Sequence, residues 1–251
     1  MTTYWDDELE QGNTGYDFSN RFQDMCGQVV WGSFDTVNKV SGTGSLRLNF
    51  PIFNLPPDNL CEGFADRSFP ATLDLWSRFY IRLEPGFTTH PVSTKFMNHS
   101  TSGIQSNWWG ILHGGSEIFV TVQHYPIINS SQNFAPNVAD GNVSKTNGQW
   151  YCIETREKLN TIGVADGVLE AYKNGVQFMN YTGLEFRKVS QNTQNNQFIF
   201  NRLIRQGGYG SINYDRLAMG NTRIGPITGG LPPLPPPPPT APTQPTGLQV
   251  T

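Results

Sequence analysis

The chain has 251 residues, with 17 Lys and Arg against 20 Asp and Glu and a formal net charge of −3. That balance gives no basic footprint for nucleic acid or an anionic membrane surface, and no apolar run reaches the roughly 18 residues that a bilayer span needs. With 26 Gly, 18 Pro and only 15% charged residues, the chain reads as rich in turns and poor in surface helices, and it is long enough for one large all-β domain.

The N-terminal MTTYWDDELEQGN lacks the basic and apolar segments of a secretory signal. Cys26, Cys61 and Cys152 make no zinc pattern, and their spacing suits either a Cys26–Cys61 bridge or three buried thiols. From residue 41 the chain alternates apolar and polar positions in short runs bounded by Gly, Pro, Asn and Asp: SGTGSLRLNFP, WSRFYIRLEPG, NWWGILHGG, EIFVTVQHYP, QWYCIETREKLN, GVLEAYKNG and GSINYDRLAMG. No long helical pattern and no repeat of 20 to 50 residues interrupts them. Two antiparallel sheets packed face to face, as a β-sandwich of jelly-roll type, are the economical solution.

Alternation assigns faces. In WSRFYIRL the residues Phe79, Ile81 and Leu83 point inward, leaving Trp76, Arg78, Tyr80 and Arg82 on the other side. HPVSTKFMNHS, with Lys95 between His90 and His99, reads as a loop able to rim a groove. In NWWGILHGG, Trp109 and His113 are expected on the face opposite Trp108. In EIFVTVQHYP, Ile118, Val120 and Val122 go inward, and Thr121, Gln123 and Tyr125 outward. In the next two strands Glu154, Arg156 and Lys158 oppose Ile153 and Leu159, and Glu170 and Tyr172 oppose Leu169 and Ala171, with KNG as a hairpin turn. The polar faces repeat Arg, Gln, Tyr, Glu and Trp, which is the chemistry of a sugar groove: flat rings for pyranose faces and forked donors for hydroxyls and carboxylates. In that groove Arg156 would bind a uronate carboxylate, Glu154 would hold the guanidinium and Tyr172 would stack or hydrogen-bond.

After residue 228 the composition changes. GGLPPLPPPPPTAPTQP, 229 to 245, forms an extended polyproline spacer, and PTGLQVT resembles the first strand of a fibronectin type III module. The expected division is a domain over 1–228 and a linker over 229–251. A spacer between modules points to an exported, extracellular protein.

The segment FYIRLEPGF…STKF, followed by GQWYCIETREKLNT, ADGVLEAYKNG and INYDRLAMGNTRIGP, resembles the concanavalin A-like jelly rolls of polysaccharide lyases and related secreted carbohydrate-active proteins, over roughly residues 45 to 226. The resemblance implies cleavage of an acidic, uronate-containing polysaccharide by β-elimination, in a monomer. Such a site must neutralise the substrate carboxylate, remove the proton at C5 and protonate the departing glycosidic oxygen. Gln123 and Tyr125 resemble the Gln-x-His strand of alginate-lyase jelly rolls, with Tyr where that pattern has His. A tyrosine near its usual pKa of about 10 needs a neighbouring cation to ionise, and Arg156, Arg78 and Lys95 are candidates. The catalytic set implied is Gln123, Tyr125, Arg156 and Lys95, and the substrate-binding set Arg78, Tyr80, Glu154, Tyr172, Glu170, Trp109 and His113. The resemblance requires no cofactor for catalysis and implies a structural calcium where DDELEQGN meets Asp215. Two other functions use the same fold: a non-catalytic carbohydrate-binding module, and a glycoside hydrolase with Glu154 and Glu170 as its carboxylate pair.

Overall fold

The computed structural model describes residues 3–7, 32–50, 61–88, 93–101, 105–112, 118–123, 132–146, 148–187, 195–204 and 210–227. Among them there is no helix, hence none long and apolar enough to cross a membrane. They form strands β1 (Thr3–Asp7), β2 (Gly32–Asp35), β3 (Ser45–Phe50), β4 (Cys61–Thr72), β5 (Asp74–Leu83), β6 (Ser93–Thr101) and β7 (Gln105–Leu112). β8 (Ile118–Gln123), β9 (Gln132–Phe134), β10 (Trp150–Lys158), β11 (Gly167–Lys173), β12 (Val176–Leu184), β13 (Asn195–Ile204) and β14 (Gly210–Gly220) complete them.

All pairings are antiparallel. An eight-stranded sheet runs β12-β11-β10-β5-β14-β3-β2, with β1 also paired to β14, and a six-stranded sheet runs β4-β13-β6-β7-β8-β9. The sheets share one core. Phe79 of β5 meets Phe96 of β6 at 6.1 Å between ring centroids, Phe134 of β9 meets Tyr181 of β12 at 4.9 Å, and the Tyr214 hydroxyl donates to the Phe96 carbonyl at 3.0 Å. Ile81, Leu83, Ile153, Leu169 and Ala171 lie in that core, on the faces that alternation assigns them. At Asn174 and Gly175, φ is 52° and 84°, as a two-residue hairpin turn requires, and β11 and β12 close around it.

Two features depart from the expected pattern. HPVSTKFMNHS, read as a loop, contains β6, whose alternation is broken by a bulge between Lys95 and Met97. The second is a polar chain inside the core. His99 Nε2 lies 3.1 Å from Ser77 Oγ, which is 2.6 Å from Thr155 Oγ1, and His99 Nδ1 lies 3.4 Å from Glu157 Oε2. All four side chains are buried, so this chain ties β6 of one sheet to β5 and β10 of the other. It also explains why β6 does not read as a strand: one of its inward positions is histidine.

The outer edge of β12 is closed by a loop. The amides of Asn137, Val138 and Ala139 converge on the Phe178 carbonyl, and the Asn137 side chain accepts from the Asn180 amide at 2.8 Å and donates to its carbonyl at 2.8 Å.

Replacing His99 with Ala is expected to cost about 1–3 kcal/mol by leaving buried polar groups unmatched; chemical denaturation of the variant measures it. At Gly167 a Cβ would come 2.6 Å from the Leu184 carbonyl oxygen and 2.7 Å from the Phe186 ring. Gly167→Ala is therefore expected to lower the Tm, by the equivalent of about 1–3 kcal/mol for overpacking.

Candidate functional site

The candidate side chains fall on two different surfaces. On the outer face of the eight-stranded sheet, β5, β10 and β11 bring together Trp76, Arg78, Tyr80, Glu154, Arg156, Glu170 and Tyr172. The expected faces are right, but these groups are engaged with one another. Arg156 binds Asp74 through Nε at 3.0 Å and Nη2 at 2.9 Å, sets Nη1 3.6 Å from Glu170, and lies 5.3 Å over the Trp76 ring. Its Asp74 hydrogen bond raises its pKa above the usual arginine value. The fork that would take a uronate already holds a protein carboxylate.

Glu154 is 1% exposed and opposite Arg78. It does not hold Arg156. Its Oε1 accepts from the amides of Ile224 at 2.7 Å and Gly225 at 2.8 Å, and its Oε2 from Arg223 Nε at 3.1 Å. Tyr172 stacks at 6.0 Å on Trp76, donates to Glu170 at 3.3 Å and carries Arg223 at 4.0 Å from its ring centroid. Burial, with Glu170 next, raises the pKa of its phenol. Tyr80 is fully buried and accepts from the Ile227 amide at 2.9 Å. Burial, then Cys152, pushes its pKa up to about 12. Arg78 donates to the carbonyls of Arg216 at 3.3 Å and Gly225 at 3.5 Å. Residues 221–227 thus lie across this face as a strap, and a second small core forms beneath it from Tyr80, Trp150 and Cys152, packed by Val40 and Ile227. Cys152 is a free thiol there, its pKa pushed up to about 11 chiefly by burial.

The other surface is the outer face of the six-stranded sheet. Directly paired residues share a face. Met97, Ile118 and Val120 are buried in the core, and Trp109 pairs with both Met97 and Val120. In register Trp109 therefore stands in a row with core residues, and Trp108 in the row of Asn98 and Thr121. The same outward register holds Lys95 opposite Gly110, Gln123 opposite Ser106, and Ile199 and Gln197 of β13 opposite Asn98 and Ser100. Asn98 is buried, and its Oδ1 has no hydrogen-bond partner.

Of the expected catalytic set, Gln123 and Lys95 share this sheet face. Arg156 does not, because β10 belongs to the other sheet and Arg156 points away from the core that separates them. Tyr125 and His113 lie outside the described residues, as do the side chains of Gln123, Lys95 and Trp109. The expected Cys26–Cys61 bridge also falls outside them. Sequence reading passed over Asn98 and the Gln197–Asn201 stretch of β13. The signal of the β13 stretch was present in NQFIFNR, whose polar Gln197 and Asn201 alternate with Phe198 and Phe200.

Asp215 is fully buried and accepts from the amides of Val40 at 2.6 Å and Ser41 at 3.2 Å through Oδ2, and of Arg216 at 2.7 Å through Oδ1. Beside it, Ser41 Oγ and Asn213 Oδ1 are buried with no hydrogen-bond partner. Oxygens of this kind suit calcium, which takes six to eight of them. Among the described residues no three His, Cys, Asp or Glu side chains come together.

No protein-family profile matches the chain, and no curated protein matches it by sequence. Solved structures do. An endo-β-1,4-glucuronan lyase from the fungus Trichoderma reesei superposes with a TM-score of 0.64 at 12% identity, over 88% of this chain and 96% of that one. The cellulose induced protein Cip1 gives 0.61 at 17%, over 89% and 100%, and alginate lyase vAL-1 from a Chlorella virus 0.52 at 14%, over 75% and 88%. At these identities the likeness is one of fold, and the fold is one found among polysaccharide lyases.

Arg156→Ala is expected to lower the Tm modestly, by the equivalent of about 0.5–1 kcal/mol for a part-exposed pair, because Asp74 and Glu170 lose their shared cation. Glu154→Ala, which strands two amides and a guanidinium, should cost more, about 1–3 kcal/mol; thermal melts of the two variants give the order.

Proposed function

We propose that this protein is a polysaccharide lyase acting outside the cell, as a monomer, on an acidic, uronate-containing polysaccharide. The polymer lies along the outer face of the six-stranded sheet of a concanavalin A-like jelly-roll sandwich. One observation carries the reading: the chain shares its fold over 88% of its length with a glucuronan lyase, and the face on which Gln123 sits also receives Lys95, Asn98 and Trp108 in outward register.

The chemistry follows from what β-elimination needs. Amide and ammonium donors from Gln123 and Lys95 neutralise the uronate carboxylate, so that the electron pair left when the C5 proton departs is stabilised. A phenolate base, Tyr125 in this reading, takes that proton. The pair then forms the C4–C5 double bond as the C4–O bond breaks, and a proton returns to the glycosidic oxygen. Lys95 is also the one of the three candidate cations for Tyr125 whose strand belongs to the sheet of Gln123. Arg156 and Arg78 belong to the other face, where they serve the fold. A structural calcium beside Asp215, completed by oxygens of residues 6–13, belongs to the same proposal and takes no part in the reaction.

A second reading, a carbohydrate-binding module without catalysis, is favoured by the departure at Tyr125, since the base of the resembled pattern is histidine. The hydrolase reading loses its carboxylate pair, as Glu154 is bound by the strap and Glu170 by Arg156.

Incubation with glucuronan and alginate is expected to give unsaturated products, followed by their ultraviolet absorbance. Gln123→Ala or Lys95→Ala should reduce kcat by about 10²–10³-fold, as for loss of one charge-stabilising donor. Retention of polymer on the protein without any new absorbance would sink the lyase reading in favour of the binding module. Added calcium should raise the Tm and a chelator reverse it; an unchanged Tm in both removes the ion.

A further inference from the structure

We infer that the outer face of the eight-stranded sheet is an anchoring surface for the chain's own residues 221–227. At residue 227 the chain thereby lies on the side of the domain away from the six-stranded face. The anchoring rests on contacts alone; that it leaves the working groove free rests on the lyase reading above.

The recognition is specific along the strap. Consecutive amides, of Ile224 and Gly225, aim at one oxygen of Glu154, a concave arrangement that Gly225 permits at φ 76°. Arg223 is fixed three ways: Nε on Glu154, Nη2 on the Gly175 carbonyl at 3.0 Å, and its guanidinium over Tyr172. The next turn is held by the Ile227 amide on Tyr80, and the Ile227 side chain joins Val40 in covering Trp150 and Cys152. With the strap docked, Glu154 is nearly buried and takes all its donors from residues 223–225, so a docked strap without Glu154 has two unmatched amides. The last strand ends at Gly220, so the domain's C-terminal boundary is set by this docking and lies beyond the sheet.

Trypsin offers a direct test in the full chain, because its cut after Arg223 needs the Arg223–Ile224 bond in an extended, released segment. The wild type is expected to resist cleavage at that bond, read by mass spectrometry. Glu154→Ala and, as an independent variant with Glu154 intact, Ile227→Asp should be cut there about tenfold faster or more at a temperature where both remain folded. Equal rates in wild type and both variants would overturn the anchoring. In the same samples Ile227→Asp should turn over uronate polymer at the wild-type rate; a matching loss of turnover would place the groove on the strap's face and overturn the second half of the inference. A wild type that cleaves no uronate polymer would refute the lyase reading, while the trypsin comparison would still decide the anchoring.

Discussion

A carboxylate withdrawn from water must be met by donors, and the one on Glu154 organises the outer layer of the molecule. β5 and β10 stand in the middle of the larger sheet, and their outward residues are as buried as many inward ones. A strand covered on both sides normally reads as continuously apolar. Here one side is polar, so the cover has to be polar as well, and a segment rich in N–H donors supplies it. Arg223, Ile224, Gly225 and Ile227 each return a donor to Glu154 or Tyr80. Val40 and Ser41 do the same for Asp215 from the opposite end of the chain. The sheet is therefore closed by loops whose backbones, more than their side chains, satisfy its acids.

The period of two was enough to read most of the framework. The Asn174–Gly175 turn was read from its residue types. Alternation gave β5, β10 and β11 with their faces, because each has enough apolar inward residues, such as Phe79, Ile81, Ile153 and Leu169, to show the pattern even where Ser77, Thr155 and Glu157 also point inward. It failed where a strand carries polar residues inward, as β6 does at His99, and where Gly and Pro interrupt, as β4 does at Gly63 and Pro70. Alternation also says which residues leave the core without saying what meets them outside. The partners of Glu154 are about seventy positions away and those of Asp215 about one hundred and seventy-five, distances over which a local pattern carries no information. Nor does parity tell which sheet a strand joins, and that is why Gln123 and Arg156 could look like one site while standing on opposite sides of the core.

Arg, Tyr, Trp and Glu together suit either a sugar groove or a self-contained ionic surface, since both need flat rings beside planar cations. Burial separates the two. On the eight-stranded sheet Arg47, Arg78, Arg82 and Arg156 each find a carboxylate or carbonyl of the same chain, and the rings of Trp76 and Tyr172 are faced by guanidinia. On the six-stranded sheet the outward register mixes Lys95, Asn98, Ser100, Trp108, Thr121 and Gln123 with the apolar Phe119 and Ile199. The first composition is spent on holding the fold.

The loop at 135–139 bears on how the molecule behaves in a crowd of its own copies. A free edge strand is a template on which another chain can add, and sheets that grow in this way end as aggregates. β12 is such an edge, but Asn137 lends it a side-chain amide that occupies both hydrogen-bonding groups of Asn180, as a neighbouring strand would. With the amides of Asn137, Val138 and Ala139 on the Phe178 carbonyl, the loop thus imitates the next strand over this stretch of β12. At this edge the groups that another copy would need are already taken by the molecule's own loop.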